Sequence, residues 1–327
     1  TPNGKTVTSY RYDGAGLTPT VFPPDALIHP AVPMGVQPVH YLNHGDVVCS
    51  VAMSRDAKRV FTGGKGCVKI WDLAESTNQE RATIKCVEGA YVRSCKLFSS
   101  ETRLAVAGEH SNVLIYDVER QKEIGRLNMA SEIVVVVIVV DVVVVVVVVN
   151  QSIIQIIYDL VFMSEVGRLH GHTASASSAD LSKDGLRLWT GGLDQTLRTW
   201  ELREMRQESK IEFETSVYTL GRSPVDEWVA VGLDGKQIEV INTLPGARDR
   251  YLLNGHSSCV LSLQYANSGR WFASTGRDDL LNLWSSPHGA LAVQKNDTSA
   301  LLCCEISADD SMIVTGSKER ATVYQVS

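Results

Sequence analysis

A histidine, a hydroxyl, an aspartate and a tryptophan occur twice in this sequence at matching intervals: His172, Thr190, Asp194 and Trp200, then His256, Ser274, Asp278 and Trp284. Two chemistries fit such residues. A histidine between a carboxylate and a hydroxyl is the arrangement of a hydrolase triad, in which the imidazole takes the hydroxyl proton. The same groups also make a sealed structural network, in which the aspartate satisfies a buried imidazole and the indole packs on it. Recurrence favours the second, because a catalytic constellation is needed once whereas architecture repeats. The seven cysteines, at 49, 67, 86, 95, 259, 303 and 304, include no CxxC pair. That argues against both a disulfide framework and a zinc site, and for a reducing compartment. The sequence has no Gly-rich phosphate cradle, metal-ligand spacing or unique nucleophile motif, so no enzyme, cofactor or metal is expected. The net charge is −6 with the basic residues scattered, which gives no footprint for direct nucleic-acid binding.

The elements that must position these residues are repeats. "TGGKGCVKIWDL" (62–73), "TGGLDQTLRTWEL" (190–202) and "STGRDDLLNLWSS" (274–286) each read as a short strand, a turn and an alternating strand ending in Trp. Upstream of them lie "NHGDVVCSVAMS" (43–54), "HGHTASASSADLS" (170–182) and "NGHSSCVLSLQYA" (254–266), each with a His beside a Gly. Weaker copies begin at "GAYVRSCKLFSS" (89–100), "TSVYTLGRSP" (215–224) and "ALLCCEISADD" (300–310). A period of roughly 40–45 residues, with four strands per unit and a Trp–Asp near the end, is the signature of a WD-repeat β-propeller. The expected fold is therefore all-β, a seven-bladed propeller.

One unit is composed abnormally. "EIVVVVIVVDVVVVVVVVN" (132–150) falls where the third unit is due, and its two valine arms on either side of Asp141 have strand length. As a membrane span it sits at the lower edge of the ~17–25 residues required, with a carboxylate at its centre that costs roughly 3 kcal/mol. Continuous β-branching also favours strands over a helix. The run is read as the two inner strands of the third blade, and no membrane association is expected.

The chain starts at "TPNGKTVTSYRY" without an apolar signal core and looks like a domain cut from something longer. Its last unit has three strands, and a propeller ring needs the fourth to avoid an open edge. Residues 6–13 alternate properly and are expected to supply it. The segment 17–38 holds six of the ten prolines and is expected to run as an extended strap to the first blade. Residues 1–38 thus form the closure strand and strap, and 39–327 the propeller. The blades are expected at 43–86, 87–126, 127–169, 170–211, 212–253, 254–295, and 296–327 with 6–13.

"FPPDALI" (22–28), "LNHGDVVCSV" (42–51), "TGGKGCVKIWD" (62–72), "YVRSCKL" (91–97), "LWTGGLDQTLRTWELRE" (188–204), "SCVLSLQYA" (258–266) and "GRWFASTGRDDLLNLW" (269–284) together resemble the C-terminal propeller of the Groucho/transducin-like-enhancer corepressors. The match covers nearly the whole chain in order and departs at the valine unit, at "NTLPGARDRYLLNG" (242–255) and at several blade turns. This resemblance implies a nuclear, non-enzymatic adaptor. Its propeller would dock short motifs of DNA-bound transcription factors: a C-terminal Trp-Arg-Pro-Trp tetrapeptide and the engrailed-homology motif. The propeller would be monomeric alone, since the family oligomerises through an N-terminal region that this chain lacks.

The residues at the propeller mouth can be aligned on the innermost strands. Equivalent positions are Cys49, Arg93, Tyr218, Leu261 and Leu302, with Ala176 and approximately Val135 completing the set. Val47, Tyr91 and Cys259 lie two residues earlier. Apolar and aromatic anchors around a concavity, with one charge to orient the ligand, suit a short hydrophobic peptide. Packing against neighbouring blades is the alternative, and carries most weight for Val47, Cys49 and Ala176. The resemblance places Glu109, in "AGEHS", near the same mouth, either to balance Arg93 or to receive a basic ligand residue. The expected peptide-binding set is Val47, Cys49, Tyr91, Arg93, Glu109, Tyr218, Leu261 and Leu302. A generic WD-repeat scaffold, such as a ubiquitin-ligase receptor for phosphorylated motifs, is the alternative function. It would need several arginines at the mouth rather than one.

Overall fold

A computed structural model describes residues 9–12, 16–22, 26, 29–74, 78–109, 112–128, 133–139, 142–149, 152–159, 164–225 and 227–327. Every regular element among them is a strand. The chain begins with β1 (Ser9–Tyr12), β2 (Leu17–Pro19) and β3 (Val36–Asn43). A first sheet follows from β4 (Ser50–Met53), β5 (Arg59–Gly63), β6 (Cys67–Asp72) and β7 (Glu80–Lys85). The next takes β8 (Val92–Leu97), β9 (Arg103–Gly108), β10 (Asn112–Asp117) and β11 (Lys122–Asn128). The valine run supplies β12 (Ile133–Val139) and β13 (Val142–Val149), paired with β14 (Ser152–Asp159) and β15 (Ser164–His170). Asp141, expected at its turn, lies outside the described residues. Then come β16 (Ala176–Leu181), β17 (Arg187–Gly192), β18 (Thr196–Glu201) and β19 (Arg206–Glu212). After them run β20 (Val217–Arg222), β21 (Trp228–Leu233), β22 (Gln237–Asn242) and β23 (Arg250–Asn254). The last are β24 (Val260–Tyr265), β25 (Trp271–Gly276), β26 (Leu280–Ser285) and β27 (Leu291–Asn296), then β28 (Cys303–Ile306), β29 (Met312–Gly316) and β30 (Arg320–Val326).

These strands make six four-stranded antiparallel sheets and one six-stranded sheet, the latter because β1 and β2 add to the outer edge of β23. The innermost strands touch in ring order, β4 to β8, β12, β16, β20, β24 and β28, and β28 returns to β4. The core lies between sheets rather than within one. Phe61 packs with Leu104, Val60 with Val323, Leu283 with Ile313, Val240 with Phe272 and Trp189 with Val231. The sheets whose side chains are described therefore bury both faces, which explains the near-continuous apolar runs in β9, β21 and β25. No helix among the described residues is long and apolar enough to cross a membrane.

The strand that closes the ring differs from expectation. β3 pairs with β30, from Val36 opposite Val326 to Asn43 opposite Arg320, and completes the last sheet. Residues 6–13 do not fill that place: their described part, β1, pairs with β23, Ser9 opposite Leu253 and Arg11 opposite Tyr251. The physical reason is the length of the link. β3 ends six residues before β4, as β7 ends six before β8, so one short connection carries the chain from an outer strand to the next inner one. Pro38 is tolerated because β3 is an outer edge strand with a register shift between Pro38 and His40. The strap accordingly starts on the six-stranded sheet. Ser9 Oγ donates to the His288 carbonyl at 2.7 Å, and Met34 and Gly35 N–H both donate to the Ser327 carbonyl. Arg250 fastens the added hairpin: it pairs with Glu239 and stacks 5.0 Å from the Tyr12 ring and 5.1 Å from that of Phe213.

Candidate functional site

The His–hydroxyl–Asp sets are built into the sheets as closed relays. Trp200 Nε1–H donates to Thr190 Oγ1 at 2.8 Å, and His172 Nδ1 meets Asp194 Oδ1 at 2.9 Å. Thr190 must then give its own proton to His172 Nε2, 2.8 Å away. Trp284, Ser274, His256 and Asp278 repeat the relay at 2.8, 2.8 and 3.0 Å. In both, the hydroxyl and the imidazole are buried and the hydroxyl oxygen also accepts an indole N–H, so the group is spent on structure. Burial works against a charged Asp194, but His172, the Thr173 N–H and Thr196 outweigh it and hold the carboxyl well below its ordinary range. The glycine of the Thr-Gly-Gly turn is required here: a Cβ on Gly192 would stand 2.5 Å from both His172 Nδ1 and Asp194 Oδ1. Thr196 is a further member, its hydroxyl donating to Asp194 at 2.8 Å. The sequence signal for it is its position two residues after the aspartate.

A third relay was not anticipated. His44 Nδ1 meets Thr62 Oγ1 at 2.8 Å, and Trp71 Nε1–H donates to the same oxygen at 2.8 Å. "TGGKGC" is one residue shorter than "TGGLDQT" and carries no turn aspartate, so the imidazole turns its Nε2 toward Cys67 Sγ at 3.9 Å. Burial first, and the Lys69 ammonium second, push the His44 pKa down to about 4.

The mouth is made by the innermost strands, which run in one direction around the ring. Leu220 N–H donates to Ser178 Oγ and Arg222 N–H to Asp180, so two steps along β16 match two along β20. Cys304 N–H to Ser262 and Ile306 N–H to Gln264 repeat this between β24 and β28. All these strands therefore start at one rim and end at the other. Between the rims runs a cavity of about 470 Å3 whose wall carries Lys96 paired with Glu305.

At the starting rim the pairing is broken by β-bulges. The register shifts between Val92 and Ser94, Val217 and Thr219, and Val260 and Ser262, which leaves Arg93, Tyr218 and Leu261 as the extra residues. A bulge re-aims its side chain out of the sheet alternation. Their preceding neighbours Val92, Val217 and Val260 are fully buried, whereas Arg93 is exposed and Tyr218 and Leu261 are half-buried. Cys49 and Leu302, half-buried, hold the matching place just before β4 and β28, following buried Val48 and Leu301. In the fourth unit the bulge falls between Ala176 and Ser178, so Ser177 and not Ala176 is the equivalent; Ala176 is buried. In the valine unit it falls between Ile133 and Val135, which makes Val134 the equivalent instead of Val135.

Four of the expected residues, Cys49, Tyr91, Arg93 and Glu109, form one contact group. Arg93 Nε donates to Glu109 Oε1 at 3.0 Å with a second, shorter bond from its other nitrogen, and Nη1 lies 3.6 Å from Cys49 Sγ. The guanidinium stands 5.2 Å from the Tyr91 ring, and Lys65 Nζ 5.9 Å from it. Glu109 N–H in turn donates to the Tyr91 carbonyl at 3.1 Å. Hydrogen bonding from Arg93 holds the Glu109 carboxyl below its ordinary range. Val47 lies half-buried next to this group, its N–H on Asp46 at 2.6 Å. Tyr218 sits further round the rim, where burial and the Asp234 carboxylate raise its hydroxyl pKa. The group offers aromatic and thiol surface beside the oriented Arg93 guanidinium and the Lys65 ammonium.

The WD domain, G-beta repeat family pattern matches residues 36–72, 163–201 and 248–285, the units that hold the three relays. Beyond the repeat itself, Transcription factor unc-37 of Caenorhabditis elegans is 43% identical over 323 residues, 96% of this chain and 52% of that protein. The chain belongs with the Groucho/transducin-like enhancer WD-repeat domains. Protein groucho of Drosophila melanogaster is 41% identical over 333 residues, covering 99% of this chain and 45% of its own length. The chain spans about half the length of these relatives.

Proposed function

We propose that this is the motif-docking domain of a nuclear transcriptional corepressor, a seven-bladed propeller whose fifth blade is the six-stranded sheet. Its bulged rim, Val47, Cys49, Tyr91, Arg93, Glu109, Tyr218, Leu261 and Leu302, takes short hydrophobic motifs of transcription factors, of the Trp-Arg-Pro-Trp and engrailed-homology kinds. The observation that carries this reading is the set of β-bulges, which lift Arg93, Tyr218 and Leu261 out of the inner strands while their neighbours stay buried. Arg93 is held ready by Glu109 and Tyr91, so it meets a ligand carboxylate or carbonyl with little ordering cost. The domain acts by docking and performs no catalysis. Similarity to the two relatives supports a nuclear location and transcription-factor partners, for which the rim chemistry is suited.

The test is titration of a fluorescent peptide ending in Trp-Arg-Pro-Trp against wild type, Arg93→Ala and Leu261→Asp. Micromolar binding is expected, weakened tenfold or more by Leu261→Asp, since truncating or charging a central anchor costs about 2 kcal/mol. Equal affinity in all three proteins removes the rim from the proposal. Preference for a phosphorylated peptide would instead favour a ubiquitin-ligase receptor.

A further inference from the structure

The rim where the innermost strands end carries a cleft of its own. The turn after β16 and the turn after β20 border a cavity of about 600 Å3, walled by Trp189, Leu186, Pro224 and Val225. Among the described residues seven buried side-chain polar atoms lack a hydrogen-bond partner. Three are threonine hydroxyls; the other four, Trp189 Nε1, Arg222 Nε, Ser223 Oγ and Glu227 Oε2, all belong to this cleft or its border. Buried polar groups are almost always satisfied, so such a cluster calls for a cause.

Ser223 has a local one. In sister turns the serine bonds the aspartate two residues on, Ser54 to Asp56 at 2.6 Å and Ser307 to Asp309 at 2.6 Å, and here that place is Val225. The remaining three have none among the described residues. Trp189 is only 2% exposed, and the Arg222 guanidinium lies 5.5 Å over its ring with Nη1 on the Ser223 carbonyl, while Trp189 Nε1–H and Arg222 Nε–H are both left without an acceptor among the described residues. Glu227 Oε2 is 3.8 Å from Arg187 Nη1, an ion pair without a hydrogen bond. Among the described residues the lining holds four carboxylates, Asp184, Glu201, Glu208 and Glu227, against three cations.

We propose that this cleft is a second peptide-docking site, specific for an extended segment with a lysine or arginine. A backbone carbonyl of the segment accepts from Trp189 Nε1–H and Arg222 Nε–H, and the basic side chain donates to Glu227. The apolar wall, with Val225 60% exposed, takes an adjoining aliphatic residue. The excess of one carboxylate disfavours acidic segments. This site is at the opposite end of the inner strands from the bulged rim and stands or falls separately from it.

The probe is a set of acetylated hexapeptide amide pools with Lys, Arg, Glu or Leu fixed at one position, added to protein labelled at the tryptophan indole nitrogen. Trp189→Phe assigns the Trp189 indole resonance. The Lys and Arg pools are expected to shift that resonance and the Glu pools to leave it in place. Glu227→Gln is expected to weaken the response at least tenfold, with the Trp200 and Trp284 resonances reporting an intact fold. Binding of a Trp-Arg-Pro-Trp peptide at the other rim is expected to stay unchanged in Glu227→Gln. No shift from any pool at millimolar concentration, an equal shift from the Glu pools, or an undiminished response in Glu227→Gln overturns the proposal.

Discussion

His44 makes the first blade acid-sensitive in a way that can be worked through. It is 4% exposed, its relay lacks the aspartate that accompanies His172 and His256, and its pKa falls from 6.5 to about 4 through burial. The folded protein therefore holds a neutral imidazole where the unfolded chain binds a proton first. Stability is constant above about pH 6.5 and is lost as pH falls from 6.5 toward 4, because the unfolded state gains protons in that window. With 1.36 kcal/mol for each tenfold step in proton affinity, the full loss is about 3 kcal/mol, of which about 2 kcal/mol is reached by pH 5. The perturbation is His44→Gln, whose amide keeps a bond to Thr62 without titrating. Urea unfolding of both proteins at pH 7 and pH 5, followed by tryptophan fluorescence, isolates the effect as a difference of differences. The wild-type advantage should shrink by about 2 kcal/mol between the two pH values. An advantage that is the same at both would refute the reasoning.

Three further outcomes follow from the same geometry. Thr190→Val leaves Trp200 Nε1 and His172 Nε2 without partners and should cost about 2–5 kcal/mol by urea unfolding, since each buried orphan costs about 1–3 kcal/mol; a loss below about 1 kcal/mol would count against the relay. Removal of residues 1–22 should leave a folded monomer by gel filtration, whereas removal through Asn43 opens the edge of β30 and should give aggregates. If the shorter truncation aggregates and the longer does not, the closure by β3 is wrong. Val225→Asp gives Ser223 the partner that Ser307 and Ser54 have, and should raise stability by about 1 kcal/mol in the same unfolding assay. A destabilised variant contradicts the local explanation of the Ser223 orphan.

The repeat was legible because Trp71, Trp200 and Trp284 end strands whose partners carry the hydroxyls, and such a pattern has few other solutions. The relays of His172 and His256 could be read from spacing alone. That of His44 could not, because the shortened turn removes the aspartate by which such a set is found. Closure was misread for a related reason. Pro38 made β3 look unfit for a sheet, yet "VHYLN" before His44 parallels "GRLH" before Gly171 and "YLLN" before Gly255, both of which are outer strands. Edge strands accept proline, and the parallel was the stronger signal. At the mouth, equivalence of Arg93, Tyr218 and Leu261 was visible from the aligned inner strands. The bulges were not, since one extra residue shifts the alternation without changing residue type. The same shift makes Ser177, not Ala176, the fourth unit's equivalent. Glu109 entered through family resemblance, because no pattern in the residues ties it to Arg93 across the β8–β9 turn.

The placement of the bulges gives the domain its division of labour. Buried Val92, Val217 and Val260 hold adjacent sheets together, and the proposed docking residues Arg93, Tyr218 and Leu261 follow them directly in each strand. On the proposed function, a rim variant is expected to lose a partner without losing the fold.

The most direct measurement is a structure of the domain with a bound peptide ending in Trp-Arg-Pro-Trp. The account predicts peptide atoms within about 4 Å of Tyr91, Arg93, Tyr218, Leu261 and Leu302 at the rim where the inner strands start. A peptide seated on an outer strand edge, or at the rim of Leu181 and Arg222, would contradict it.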